Sequence, residues 1–137
     1  MRTFEDLDCW KKASQLRRDL SEIVKKFSSE EKYRLVDQVI RASRSVTANI
    51  AEGFGRFHYQ EYVQFCRQSR GSLYELIDHL IVAHESNLIT LDELQKYKNQ
   101  IGDCIAVING FINYLLKAKE RNRVEEPVAE YQLTNNG

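Results

Sequence analysis

The apolar positions of the chain recur at steps of three and four residues, which is the pattern of amphipathic α-helices. Four such series follow one another, beginning near Phe4, Leu35, Tyr62 and Leu94. Pro127 is the only proline, so the strongest helix breaker is absent from everything before it. Short links between long helices make consecutive helices antiparallel neighbours. The sequence therefore predicts an all-α fold, an antiparallel up-down-up-down four-helix bundle.

Capping patterns predict where two of these helices begin. The first series is continuous from Phe4 to Phe27, and Ser28 follows it with Glu31 three residues later. This is the spacing of a capping box, so we expect the second helix to start there. Thr90 and Glu93 repeat the spacing before the fourth series, which predicts the start of that helix.

Glycines mark the end of the second series. Gly53 and Gly55 flank a single phenylalanine. Helices commonly end in a residue with positive φ, which glycine adopts readily, so we expect the chain to turn at this point. Gly71 falls inside the third series, where glycine costs about 1 kcal/mol relative to alanine unless close packing requires it.

Basic and acidic side chains are equal in number over the whole chain, but they are unevenly distributed along the sequence. The 137 residues contain 20 basic and 20 acidic side chains, which argues against a general polyanion binder. All the basic residues lie within residues 1–123, whereas residues 124–137 contain three glutamates and no basic residue. The composition predicts a bundle domain at 1–123 and a flexible acidic C-terminal tail at 124–137.

The cellular location follows from cysteine usage and the N-terminal sequence. Cys9, Cys66 and Cys104 are far apart and form no C-x-x-C pair, which is typical of reduced cysteines in a cytosolic protein. The N-terminus becomes acidic where a signal peptide would become apolar, and no uninterrupted apolar run approaches the length of a membrane span. We therefore expect a cytoplasmic protein that does not enter a membrane.

Catalytic and metal-binding patterns are weak. A di-metal site in a bundle needs Glu-x-x-His pairs, and no glutamate is followed three residues later by histidine. The nucleophile pattern G-x-S-x-G is also absent. We expect no catalytic residue, no metal, no cofactor and no small-molecule substrate, and hence a protein that is not an enzyme.

Polar residues concentrate where the second and third helices join. Two antiparallel helices with a turn near residues 54–60 would bring these side chains close together. Three interpretations remain open: a hydrogen-bonded network that fixes the helix pairing, a recognition surface for an anionic or peptide partner, and a subunit interface. The residues are Asn49, Glu52, Arg56, Glu61, Arg70, Ser72 and Glu75.

Basic residues are locally enriched in the same region. Between Lys32 and Arg70 the chain has seven basic and three acidic side chains. Aromatic side chains near the turn could stack on bases, which favours nucleic-acid contact as an alternative. The candidate contacts are Arg41, Arg44, Arg56, Arg67 and Arg70, with Phe57 and Tyr59 as the stacking residues.

Four motifs in this order resemble a known protein family over about residues 4–118. The chain is similar to the small bacterial four-helix-bundle proteins described from reading frames inside the intervening sequences of large-subunit (23S) ribosomal RNA genes. It is more distantly similar to the accessory variability proteins of diversity-generating retroelements. The motifs are Phe4-Glu5-Asp6-Leu7 with Trp10-Lys11-Lys12-Ala13, Gln38-Val39-Ile40-Arg41-Ala42-Ser43, Ala48-Asn49-Ile50-Ala51-Glu52-Gly53 with Gly55-Arg56, and Arg70-Gly71-Ser72-Leu73 with Glu75-Leu76.

The resemblance implies a bundle that assembles into homopentamers and has no established catalytic activity. Tyrosines independently favour an interface, because five of them exceed what one narrow bundle core should hold. We therefore expect a non-enzymatic oligomeric scaffold or interaction protein with a protein or RNA partner. The alternative is an RNA-binding accessory protein. The five tyrosines are Tyr59, Tyr62, Tyr74, Tyr97 and Tyr114.

Overall fold

The computed structural model describes residues 3–31 and 33–121, and these residues form α-helices and no β-strand. The α-helices are α1 (Asp8–Ile23), α2 (Leu35–Phe54), α3 (Tyr59–Glu85) and α4 (Leu91–Arg121). Short 3-10 helices occupy Phe4–Asp6, Val24–Lys26 and Ser29–Glu31. The predicted four-helix fold class is confirmed. The predicted acidic tail at 124–137 lies outside the described residues.

Contacts between neighbouring helices join the end of one to the beginning of the next. Tyr62, near the start of α3, lies against Gly53, near the end of α2. Further along, Ser69 Oγ donates a hydrogen bond of 2.8 Å to the carbonyl oxygen of Val46. α4 packs against both α3 and α1, and α1 packs against α2. This arrangement is compatible with the predicted up-down-up-down topology.

The core is built from the apolar side of each α-helix. Burying one such side chain stabilises the fold by about 1.5–3 kcal/mol relative to leaving it exposed. Because every helix contributes, the four helices share one continuous core. The largest of the fully buried side chains are Leu16, Leu20, Val39, Ile50, Tyr62, Leu73, Leu76, Leu80, Ile101, Ile108 and Leu115.

Polar residues interrupt the apolar residues of helix α4, but the helix is apolar on average over one long stretch. It contains an 18-residue window of mean hydropathy 1.2, which makes it long and apolar enough to cross a membrane by length and composition. The core helix of a bundle passes the same test, and here Ile101, Ile108 and Leu115 are buried against the other helices. The expectation that the chain does not enter a membrane stays a prediction.

Two predicted helix starts differ from the structure. The first series is not one helix, because Leu7 is extended, with φ −72° and ψ 132°, between a 3-10 helix and α1. A capping box of Thr3 and Asp6, which the sequence reading missed, opens that 3-10 helix. The predicted start at Ser28 is also wrong, since α2 begins at Leu35.

The capping box before α4 is confirmed. The Glu93 amide donates to Thr90 Oγ1 at 3.1 Å, and the Thr90 amide donates to Glu93 Oε1 at 2.9 Å. Lys26 also donates to the Glu93 carboxylate, which joins the segment after α1 to the start of α4. The hydrogen bond from Lys26, followed by that from the Thr90 amide, lowers the pKa of Glu93.

Gly53 and Gly55 act differently from the prediction. Neither glycine has a positive φ. Among the described residues, a positive φ is found instead at Asn87, in the link after α3, where it is 62°. Gly53 is needed for close packing: a Cβ there would lie 2.8 Å from Tyr62 Cδ1. A Cβ at Gly71 would meet nothing within 4 Å, so close packing inside the chain does not explain that glycine.

The tyrosine argument for an interface is largely wrong. Tyr59, Tyr62 and Tyr97 are buried, and Tyr114 packs against the core. The Tyr62 ring packs edge-on against Phe111 of α4, with a 76° interplanar angle, and Tyr114 stacks on the same ring. Of the five, Tyr74 is exposed, with 56% of its surface accessible.

Candidate interaction site

The predicted polar residues divide into separate contacts. Arg56 Nη2 donates to Glu52 Oε1 at 2.9 Å, and its guanidinium lies over the Phe65 ring at 5.0 Å. Both partners of this ion pair are about half exposed. Exposed pairs contribute about 0–1 kcal/mol, so this contact orders the turn between α2 and α3 only weakly.

Asn49 and Ser72 are brought together through Ser45. Asn49 Nδ2 donates to the Ser45 carbonyl at 2.9 Å and to Ser45 Oγ at 3.0 Å. Ser45 Oγ is 2.9 Å from Ser72 Oγ, which is buried in α3. These hydrogen bonds satisfy polar groups at the α2–α3 seam, as expected of a structural network.

The other predicted members point elsewhere. Arg70 Nη1 donates to Asn109 Oδ1 of α4 at 2.7 Å. Glu75 Oε2 is 3.9 Å from His79 Nε2 on its own helix. Glu61 is exposed and lines an open groove between α3 and α4. The prediction that all these residues lie close together is therefore wrong, because α3 turns Ser72 toward α2 and Arg70 toward α4.

The predicted nucleic-acid contacts do not form one surface either. Arg41 lies in a groove between α2 and α3, whereas Arg67 lines the groove between α3 and α4. Tyr59 is only 6% exposed, so it cannot stack on a base as predicted. Phe57, at 78% exposure, is the aromatic residue of this region that solvent reaches.

A more concentrated basic site lies between α1 and α2. Arg17 Nη1 donates to Thr47 Oγ1 at 2.8 Å, and Arg17 Nη2 donates to Ser14 Oγ at 3.3 Å. Arg18 Nη1 donates to the same Ser14 oxygen at 2.7 Å. Two guanidinium groups thus converge on one hydroxyl that is 1% exposed.

Arg44 is a third, exposed arginine on the α2 side of this site. It precedes Thr47 by one turn, so both residues lie on the same side of α2. Among the described residues, no carboxylate lies within ion-pair distance of Arg17, Arg18 or Arg44. By contrast, Arg41 is 3.7 Å from Asp37. We call Arg17, Arg18 and Arg44 the arginine cluster.

Arg17 and Arg18 were missed in the sequence analysis, although a signal was present for Arg17. Arg18, however, has Glu22 four positions later. Neither Arg17 nor Arg44 has an acidic residue three or four positions away, where an ion pair within a helix would form. Arg56, by contrast, has Glu52 at that spacing. What the sequence could not show was the contact from Arg17 to Thr47, which depends on the packing of α1 against α2.

Comparison with known protein families matches residues 5–110 to the 23S rRNA-intervening sequence proteins. The chain belongs to this family. A crystal structure of a protein of unknown function from Bacteroides thetaiotaomicron, assigned to the S23 ribosomal protein family, superposes with a TM-score of 0.73. The alignment covers 80% of this chain and 98% of that chain at 16% identity, which shows the fold alone. No curated protein matches the sequence.

The cysteines of this intervening-sequence protein are buried thiols. Burial raises the pKa of Cys9 to about 12 and that of Cys104 to about 11. Burial also raises the pKa of Cys66. Because the thiolate is the reactive form, these three residues are poor nucleophiles near neutral pH.

Proposed function

We propose that this protein is a non-enzymatic oligomeric scaffold or interaction protein in which copies of the bundle pack side by side. The observation that carries this proposal is a face of α4 made of small residues with open space above it. Family membership supports the proposal, and the family resemblance suggests five copies. The buried, reduced cysteines support a cytoplasmic location.

Two glycines of α4 have open space where a side chain would lie. Gly102 and Gly110 lie inside the helix, and a Cβ at either position would meet nothing within 4 Å. Glycine in a helix interior costs about 1 kcal/mol relative to alanine. No contact within the described part of the chain requires either glycine, whereas close approach of a second backbone would.

The surroundings of these glycines support the same conclusion. Ala106 lies between them at a spacing of four residues, so the three share one exposed helix face. Tyr74 is exposed on the neighbouring α3, one turn beyond Arg70, whose side chain bonds to α4. Small residues on α4 and an exposed tyrosine on the neighbouring α3 suit an interface between helices of two copies.

The chemistry of the side chains and the shape of the grooves support the proposal that the protein is not an enzyme. The three thiols have raised pKa values. Within residues 3–31 and 33–121, no group of three or more His, Cys, Asp or Glu side chains is arranged to hold a metal ion. The grooves between α2 and α3 and between α3 and α4 are both open to solvent, unlike the enclosed apolar pockets that hold small substrates.

Replacing Ala106 by glutamate tests the proposed interface. We expect light scattering at micromolar concentration to give an oligomer for the wild-type protein and a monomer for Ala106→Glu, because a buried unpaired charge would oppose packing. Ala48→Glu, at an exposed position of α2, is the matched control and should keep the wild-type mass. A monomeric wild-type protein would contradict the scaffold proposal.

The second candidate function is an RNA-binding accessory role. It is supported by the exposed Phe57, which lies beside Arg56 at the α2–α3 turn and offers a ring for base stacking. Titration of labelled RNA and DNA at 50 and 200 mM salt should show binding that weakens at the higher salt concentration. Absence of binding at 50 mM salt would remove this candidate.

A further inference from the structure

We infer that the arginine cluster of Arg17, Arg18 and Arg44 is a binding site for a phosphate group. The site lies between α1 and α2, apart from the α4 face proposed for assembly, and neither inference depends on the other. The phosphate could belong to a nucleic-acid strand or to a free phosphate compound. Both sources present the same oxyanion.

Two like charges converge at this site. Because Arg17 and Arg18 both donate to Ser14 Oγ, their nitrogen atoms lie no more than about 6 Å apart. Two guanidinium groups at this separation repel each other, and an anion between them would offset this repulsion. No carboxylate in the described part of the chain takes that position.

The site is preorganised by hydrogen bonds to two hydroxyl groups. Thr47 is 4% exposed and its hydroxyl donates to the Arg44 carbonyl, so it is fixed as an acceptor for Arg17. Ser14 is anchored in the same seam. These hydroxyls orient the guanidinium groups without neutralising them, and each group retains N–H donors that are not used in these bonds. Planar guanidinium donors match the oxygens of a phosphate.

Several exposed arginines elsewhere on the molecule, unlike those of this site, lie close to a carboxylate. Arg34, Arg41 and Arg56 each have a carboxylate of their own helix or link within 3.7 Å. Arg18 is bonded to Gln15 and Ser14, both of which are uncharged. Lys11 lies two turns before Arg18 on the same face of α1, so a longer polyanion would meet a further cation there.

The test replaces the three arginines together. Arg17→Gln/Arg18→Gln/Arg44→Gln removes the site, and glutamine can still bond to the hydroxyls. Arg34→Gln/Arg41→Gln/Arg67→Gln is the matched control, since it removes the same charge from other exposed arginines. Circular dichroism checks that both variants fold. Arg18→Glu alone is the fallback, because Arg18 is exposed and its replacement leaves Arg17 in place.

Fluorescence anisotropy with a labelled single-stranded RNA measures the first source of phosphate. Three phosphate contacts predict that wild-type affinity falls about 20-fold between 50 and 200 mM salt. We expect the site variant to lose at least about tenfold in affinity at 50 mM salt and most of its salt dependence. For the control variant, the fold-loss in affinity at 50 mM salt should be less than a third of that of the site variant.

Thermal unfolding in inorganic phosphate, compared with chloride at equal ionic strength, measures the second source. A ligand that binds only the folded state raises the melting temperature. Phosphate also stabilises folded proteins in general, so we expect a larger rise for the wild-type and control proteins than for the site variant. This excess rise without RNA binding identifies a free phosphate compound as the source. Equal behaviour of the site and control variants in both measurements would overturn the inference.

Discussion

Replacing Gly53 by alanine is expected to lower the free energy of unfolding by about 1–3 kcal/mol. The new methyl carbon would lie 2.8 Å from Tyr62 Cδ1 and 3.0 Å from Phe65 Cβ, which is closer than carbon atoms pack. Tyr62 is fully buried and held edge-on against Phe111 at 5.2 Å, so its ring has little room to move. Urea denaturation at a fixed protomer concentration measures the change.

The control for this prediction is Gly71→Ala. Gly71 is exposed on α3 and a Cβ there meets nothing within 4 Å. The same substitution should therefore raise the free energy of unfolding by up to about 1 kcal/mol, because alanine favours the helix. If both variants gained stability equally, the close packing assigned to Gly53 would be wrong.

Gly53 also shows why some features of the fold were predicted for the wrong reason. The sequence placed the end of α2 correctly near this glycine, but a local rule about positive φ supplied the explanation. The actual constraint is the approach of Tyr62, nine residues later and on another helix. A contact of this kind depends on how two helices pack, which the spacing within either helix does not determine.

The starts of the helices also show that local sequence rules and packing between helices can give different answers. Ser28 with Glu31 and Thr90 with Glu93 have the same spacing, yet only the second pair opens a long α-helix. A capping box stabilises a helix start by about 1 kcal/mol, and packing of the following residues decides whether the helix continues. After Thr90 the buried residues begin at once with Leu94, which is part of the core.

Within the candidate sites, contacts inside one helix were predictable and contacts between helices were not. Glu52 and Arg56 pair at the spacing of four that the sequence displays. Arg70 instead bonds to Asn109, 39 positions away, and Arg17 bonds to Thr47, 30 positions away. The spacing of side chains on α1 could have suggested the shared contact at Ser14. It could not have suggested that Thr47 completes the arginine cluster.

Replacing Leu115 by alanine should have the largest effect on stability, with an expected loss of about 2–5 kcal/mol. Leu115 is fully buried on the core side of α4, so truncation both removes apolar contacts and leaves a cavity. The adjacent Leu116 is 36% exposed and lines the groove between α3 and α4. Leu116→Ala makes the same chemical change in the same helix and should cost about 1 kcal/mol or less.

This pair of variants tests the orientation of α4, on which the assembly proposal depends. A helix turns 100° per residue, so exchanging the roles of Leu115 and Leu116 would rotate Gly102, Ala106 and Gly110 away from their present exposed side. Urea denaturation of both variants at one protomer concentration provides the comparison. A loss for Leu116→Ala equal to that for Leu115→Ala would contradict this orientation, because only one of the two side chains faces the bundle core.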